Sequence, residues 1–252
     1  MGTVVGVCSL GGAPGVTTLT VALASMWPGP VPTVCVEADA AGGTLAAWRS
    51  MPIIPGVMEL AAAARHAPQS PTPHGHTAAP FAFSHTLPGG LRACLAPPTA
   101  DRASAAVQQL SMHPQVLRPG DNAVSIVDLG RLTPRSATAR LASQLDAVVL
   151  AVDGSDLAHL KRAHESLPGV HAGLHHLGVA VVGGGEPPRQ IEAAMPAPVW
   201  GHVPRDPRGA ALVRGERGDR RPHRRPLMRA ARDLAQHLAN TTLWISQEVP
   251  TR

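Results

Sequence analysis

The sequence predicts a three-layer α/β fold, in which a mostly parallel, twisted sheet is covered by helices on both faces. Short apolar runs alternate along the chain with helix-forming segments, and strands covered on both faces are typically apolar throughout. No internal repeat interrupts this alternation. A chain of 252 residues, 44% of them apolar, is long enough for one domain with a sizeable core. We therefore expect residues 1–252 to form a single domain.

The elements follow one another in a regular order. The predicted strands are short and mostly β-branched, at 3–8, 33–37, 91–96, 123–127, 147–152, 178–182 and 199–203. The predicted helices show apolar positions at helical spacing, at 17–26, 45–49, 57–65, 100–110, 135–145, 156–167 and 229–238. The strand at 123–127 is expected to end at Asp128. Residues 66–80, rich in proline, histidine, serine and threonine, are expected to form a surface loop.

Composition excludes several classes of protein. The three cysteines, Cys8, Cys35 and Cys94, are far apart in sequence, which favours buried, reduced thiols over disulfides or a zinc site. No run approaches the ~18 apolar residues of a membrane span. The first residues lack a charged signal-peptide region, and the tail at 242–252 is too short and mixed in charge for stable membrane anchoring. We expect a cytoplasmic protein without direct membrane anchoring.

Positive charge is concentrated near the C-terminus. Residues 205–232 carry ten arginines and three acidic residues, whereas the whole chain has a net charge of only +5. Such a segment is commonly a solvated face, but it could also neutralise the phosphates of duplex DNA. The candidate DNA or partner patch comprises Arg220, Arg221, Arg224 and Arg225. Interleaved aromatic residues are missing from it, which argues against single-strand recognition by stacking.

A glycine-rich loop separates the first predicted strand from the first predicted helix. Strand, loop and helix in this order bring backbone N–H groups and a helix N-terminus to one point, which is an anion site. The candidate nucleotide-binding residues in this loop are Gly11, Gly12, Ala13, Gly15, Val16, Thr17 and Thr18.

At these residues the sequence resembles the ParA/MinD-type P-loop ATPases, whose loop reads K-G-G-x-G-K-T-T. Asp39 resembles their switch I aspartate, Val127-Asp128-Leu129-Gly130 their Walker B turn, and Val203-Pro204-Arg205-Asp206 their late P-x-D segment near the base. The resemblance implies a P-loop fold, a homodimer, and nucleotide contacts from Pro204 and Asp206. It also implies that Thr17, Asp39 and Asp128 hold Mg²⁺, with Asp39 acting in catalysis.

The departures from the family pattern concern charge. The family's signature lysine falls at Gly11 and its Walker lysine at Val16, and the single lysine of the chain, Lys161, is predicted to be a solvated helix residue. Each charge-assisted hydrogen bond lost from a phosphate is worth roughly 1.5–3 kcal/mol. Pro14 offers no N–H and Ala13 replaces a glycine. Hydrolysis is therefore expected to be lost, with ATP or ADP and Mg²⁺ bound weakly or not at all.

A loop without the Walker lysine resembles the TadZ/CpaE branch, which helps to position pilus and secretion machinery. The leading interpretation is a spatial organiser that recruits a secretion or pilus ATPase. One alternative is a chromosome- or plasmid-partition or septum-site ATPase that binds DNA non-specifically through the arginine-rich segment. Another is a degenerate scaffold without a ligand.

Overall fold

The computed structural model describes residues 2–11, 14–66, 79–174, 176–184 and 187–247. Within these ranges one eight-stranded sheet has the order β3-β4-β2-β5-β1-β6-β7-β8, with β3 antiparallel to β4 and all other neighbours parallel. The strands are β1 Thr3–Ser9, β2 Thr33–Glu37, β3 His85–Thr86, β4 Arg92–Cys94, β5 Val124–Arg131, β6 Ala147–Asp153, β7 Leu177–Val182 and β8 Val199–Val203.

Helices cover both faces of the sheet. The α-helices are α1 Val16–Ser25, α2 Leu45–Arg49, α3 Val57–His66, α4 Ala79–Ala82, α5 Ala100–Met112, α6 Ala137–Ala142, α7 Leu157–His171, α8 Pro188–Ala194, α9 Pro207–Arg214 and α10 Pro226–Gln247. Two short 3₁₀ helices lie at Pro114–Leu117 and Pro222–Arg224. Among the described residues, no helix has the length and apolarity needed to cross a membrane. The predicted three-layer fold is confirmed.

The core consists of two aliphatic layers separated by the sheet. In β1, Val4 and Cys8 face the layer formed with α3, α5, α6 and α7, whereas Val5 and Val7 face the layer formed with α1 and α10. Successive side chains of a strand point to opposite faces, so both faces of this strand are buried. This accounts for the nearly continuous apolar runs in the sequence.

Several predicted element bounds need correction, among them the helix at 229–238, which is α10 Pro226–Gln247, and the helix at 135–145, which is α6 Ala137–Ala142. The strand at 123–127 does not end at Asp128 but continues to Arg131, because a register shift between Val7 and Cys8 in β1 accommodates the extra residue. In the segment 66–80, residues 79 and 80 belong to α4 and residue 66 ends α3, while the rest of the predicted loop lies outside the described residues. The helices α8 and α9 were not predicted, and each begins with a proline that looks like a helix breaker in sequence.

Candidate nucleotide and magnesium site

The loop between β1 and α1 lies at the carboxyl edge of the parallel strands, near the middle of the sheet. Gly11 is buried at the start of the loop, and Gly12 and Ala13 lie outside the described residues. Gly15 caps α1 in the left-handed conformation, with φ of 84° and ψ of 39°, and its carbonyl accepts the Leu19 N–H at 2.8 Å. Only glycine adopts this conformation without strain. The predicted strand, loop and helix are therefore all present.

Val16 is part of the hydrophobic core. It is the first residue of α1, only 8% of its surface is exposed, and it packs in the layer that also contains Leu19 and Val149. A side chain in this position supplies neither charge nor a hydrogen-bond donor to an anion at the loop. Val16 therefore contributes to packing and offers no polar contact to a ligand.

Asp128 is a deeply buried carboxylate of the site. Its side chain is 1% exposed and accepts hydrogen bonds from the Thr17 hydroxyl and, at 2.9 Å, from the Gly130 N–H. Burial, together with the nearby charges of Glu37 and Asp39, raises the pKa of Asp128 from 3.8 to about 7, although the two hydrogen bonds lower it. Asp128 and Asp39 thus form a carboxylate pole beside the start of α1.

Asp39 lies directly against Gly130, which follows Asp128 by two residues in β5. Gly130 has a φ of 58°, and a Cβ at this position would collide with the Asp39 carboxyl group. Asp39 accepts the Ala41 N–H at 2.8 Å, and burial raises the pKa of its half-buried carboxyl. The backbone connects the same two segments, since the Ala38 N–H donates to the Asp128 carbonyl at 2.7 Å. The structure thus brings Thr17, Asp39 and Asp128 together.

These three side chains suit Mg²⁺ better than a transition metal. They offer hydroxyl and carboxylate oxygens, the ligands that Mg²⁺ prefers. No group of three or more histidine, cysteine, aspartate or glutamate side chains in the described part of the chain forms a metal site of its own. Mg²⁺ is usually held by one or two carboxylates together with waters and phosphates, so Thr17, Asp39 and Asp128 could hold the ion jointly with a polyphosphate.

Glu37, which sequence reasoning did not assign to any role, organises the loops around the site. Its buried carboxylate accepts the N–H groups of Thr44 and Leu45 at the start of α2, and of Ala96 after β4, at 2.8–2.9 Å. Burial raises the pKa of Glu37, and these three hydrogen bonds oppose the shift. The polar ending of β2 was the only sign of this role in the sequence.

A cavity of about 380 Å³ adjoins the loop on the side of α1. Pro14, Gly15 and Thr18 form one wall, and Pro204 and Asp206 lie on another. Pockets for small ligands commonly begin at about 300 Å³. Four of the nine predicted nucleotide contacts, Gly15, Thr18, Pro204 and Asp206, line this cavity. Gly11, Val16 and Thr17 do not line it, and Gly12 and Ala13 lie outside the described residues.

The side chain of Asp206 is committed to helix capping. One of its oxygens accepts the Gly209 N–H of α9 at 2.9 Å, and the other accepts the Leu227 N–H of α10 at 3.3 Å. A carboxylate with both oxygens bonded to backbone N–H groups holds two helices to the cavity wall. Its predicted contact with a nucleotide remains a prediction.

Arg205 lies across one side of the same cavity. Its guanidinium donates to the Asp153 carboxylate at 2.6 Å and to the Ser155 hydroxyl at 2.8 Å, and its chain passes against Gly183. Arg205 is thereby separated from the basic surface to which its position in the sequence had assigned it. The adjacency of β6, β7 and β8 brings these residues together, and sequence alone does not reveal it.

The candidate DNA or partner patch lies between α9 and α10. Arg220, Arg221 and Arg224 are exposed, whereas Arg225 pairs with Asp219 at 2.6 Å. This pairing leaves three of the four predicted arginines with charge available to a partner.

No family model and no curated protein matches this sequence. Solved structures, in contrast, match it over almost its whole length. The cell division ATPase MinD of Pyrococcus furiosus is 15% identical, with a TM-score of 0.73 over 95% of this chain and 99% of that one. A ParA family ATPase from Chlorobium tepidum is 14% identical, with a TM-score of 0.70 over 94% and 100%.

A third similar structure is the septum site-determining protein MinD of Pyrococcus horikoshii in complex with Mg-ADP. It is 17% identical, with a TM-score of 0.69 over 96% of this chain and 99% of that one. Identities this low establish similarity of architecture alone. The order of the strands, the loop before α1 and these three matches together show that the chain has the ParA/MinD-type P-loop fold.

Proposed function

We propose that this protein is a ParA/MinD-like spatial organiser whose nucleotide site binds Mg²⁺ and ATP or ADP weakly and hydrolyses ATP slowly or not at all. The observation that carries the proposal is the burial of Val16 in the core. Phosphoryl transfer depends mainly on cations placed in advance around the transferred phosphate. A valine in the place of the Walker lysine removes one such cation from the loop.

The carboxylate pole supports weak binding over a ligand-free scaffold. Asp128 is buried and accepts the Thr17 hydroxyl, while Asp39 packs against Gly130. Burying an acidic side chain costs free energy unless the side chain is paired or bound to a cation. In a scaffold without a ligand, no bound cation would offset this cost. Mg²⁺ carried by a nucleotide would supply the missing positive charge.

We further propose a cytoplasmic homodimer that recruits a secretion or pilus ATPase of the Tad type. The loop without the Walker lysine, which resembles that of TadZ/CpaE proteins, supports this assignment. An organiser of this kind needs a nucleotide-dependent or constitutive dimer rather than rapid turnover. Co-purification of a secretion ATPase with the tagged full chain would support the assignment, and co-purification of a centromere-binding protein instead would contradict it.

Isothermal titration with ATP and ADP, with and without Mg²⁺, tests the nucleotide site. We expect Mg²⁺-dependent binding that Thr17→Ala abolishes, because this substitution removes the hydroxyl bonded to Asp128. Thr241→Ala is a matched control, since it removes a threonine from α10, the C-terminal helix. Binding that is equal in wild type and Thr17→Ala, or not detected in either, would contradict the proposal.

A DNA-partition ATPase is the second candidate, favoured by the exposed arginines Arg220, Arg221 and Arg224. Arginine clusters bind duplex DNA through its phosphates, with strong salt dependence. If this candidate is correct, replacing all three arginines by glutamine would weaken binding to every DNA sequence by a similar factor and would make DNA binding less dependent on salt. DNA-stimulated ATP turnover, lost in Asp39→Ala, would favour this candidate over the organiser.

A further inference from the structure

Two arginines from separate elements converge on Gly11. Arg131 is the last residue of β5, where it pairs in register with Ser9, and Arg162 lies in the second turn of α7. A Cβ at Gly11 would contact Nη1 of Arg162 and would lie 3.2 Å from Nη2 of Arg131. Both guanidinium groups therefore reach the start of the phosphate loop, at the position of the missing signature lysine.

Neither guanidinium is neutralised within the part of the chain that the structure describes. Both side chains are exposed, and neither takes part in a hydrogen bond or ion pair there. Arginine stays protonated at all ordinary pH values, so the two groups repel each other. Convergence of two such charges is stabilised when an anion lies between them.

One of the two arginines follows the carboxylate pole closely in sequence. Arg131 directly follows Gly130, against which Asp39 packs, and Gly130 donates its N–H to Asp128. The backbone thus places the two arginines and the two carboxylates at the same carboxyl edge of the sheet. A metal–polyphosphate matches this arrangement, since its cation would meet the carboxylates and its phosphate oxygens the guanidinium groups.

We propose that Arg131 and Arg162 form a phosphate-binding pair that supplies, from β5 and α7, the positive charge that the loop lacks. The ligand class is an inorganic or nucleoside polyphosphate, and its nucleoside form rests on the function proposed above. Gly11 has a specific part in this arrangement, because any side chain there would occupy the space of the Arg162 guanidinium. A side chain at position 11 would displace the Arg162 guanidinium, the end of a flexible and exposed side chain, from its place beside the loop.

The test is calorimetric titration of the full chain with two probes, Mg·ATP and metal-free tripolyphosphate, at low and at high salt. The variants are Arg131→Gln, Arg162→Gln and the double variant. Arg232→Gln is the matched control, because it removes one exposed arginine that contacts Met26, at the end of α1 opposite the loop. Thermal unfolding of each variant verifies that it is folded.

We expect each single variant to bind Mg·ATP about tenfold more weakly and the double variant about a hundredfold more weakly, with a smaller salt dependence. The control should bind like the wild type. Tripolyphosphate binding that the double variant loses, without any binding of Mg·ATP, would support the arginine pair and contradict the proposed nucleotide site.

Two results would overturn the arginine pair. Mg·ATP binding that Thr17→Ala abolishes but the double variant retains would leave the proposed function standing and show the arginines to be solvated charges. A wild-type chain that binds neither probe would contradict both the arginine pair and the nucleotide site.

Discussion

Replacing Asp128 by asparagine should make the protein's stability less dependent on pH. Burial raises the pKa of this carboxyl from 3.8 to about 7. A folded pKa above the unfolded one means that folding favours the protonated form. Its contribution to stability is therefore complete below the unfolded pKa and is lost as the pH rises through the folded pKa.

The size of the effect follows from the shift. Three pKa units correspond to about 4 kcal/mol of stability between the fully protonated and fully ionised limits. Of this, roughly 2–3 kcal/mol is lost between about pH 5 and about pH 8. Asparagine has nearly the same shape but does not ionise, so Asp128→Asn should lose less stability than the wild type over this interval by that amount.

The assay is urea unfolding at about pH 5 and at about pH 8. A chelator is present, because bound Mg²⁺ would stabilise the ionised carboxylate and mask the effect. Asp233→Asn makes the same chemical change on the exposed face of α10 and should follow the wild type. Comparing the pH dependence of each variant, rather than its absolute stability, removes the cost of the substitution itself. If the free energy of unfolding fell by the same amount between the two pH values in wild type and in Asp128→Asn, the reasoning about burial would be refuted.

Three further substitutions test the surroundings of the site. Glu37→Ala leaves three backbone N–H groups without their acceptor and should cost about 3–5 kcal/mol in urea unfolding; a loss below about 1 kcal/mol would show that water replaces the carboxylate. Gly130→Ala drives a methyl group into the Asp39 carboxyl, so we expect a loss of about 1–3 kcal/mol in the same assay; an unchanged midpoint would show that Asp39 moves aside freely. Arg205→Ala breaks a partly exposed ion pair with Asp153 and should change stability by less than about 1 kcal/mol; a larger loss would mean that the pair supports the cavity wall.

Local sequence patterns predicted most of the fold. The strands at 33–37 and 199–203 and the helix at 45–49 have the predicted bounds, because apolar runs between turn residues leave little choice of conformation. The helices that begin at Pro188 and Pro207 were missed, since proline at the first helical position looks like a breaker when its tertiary surroundings are unknown.

Only those residues of the candidate site that lie in recognisable sequence motifs were predicted. The resemblance to the ParA/MinD-type loop and motifs indicated Thr17, Asp39 and Asp128, and the fold brings these three together. The convergence of Arg131 and Arg162 on Gly11 depends on the order of β5, β1 and β6 in the sheet, which residue patterns do not encode.

Capping and ion pairing likewise become visible only in three dimensions. Asp206 resembled a nucleotide contact in sequence, yet both its oxygens accept backbone N–H groups. Arg205 belonged to a basic segment in sequence, yet it pairs with Asp153 across the cavity. In both cases partners distant in sequence determine what the side chain does.

We propose that a core valine at position 16 leaves the loop without the cation that rapid hydrolysis requires. Single-turnover release of phosphate from Mg·ATP, with the protein in excess over nucleotide, tests this claim most directly. We predict that wild type and Asp39→Ala release phosphate at the same slow rate, close to that of nucleotide in buffer. A faster release by the wild type that Asp39→Ala abolishes would contradict the claim.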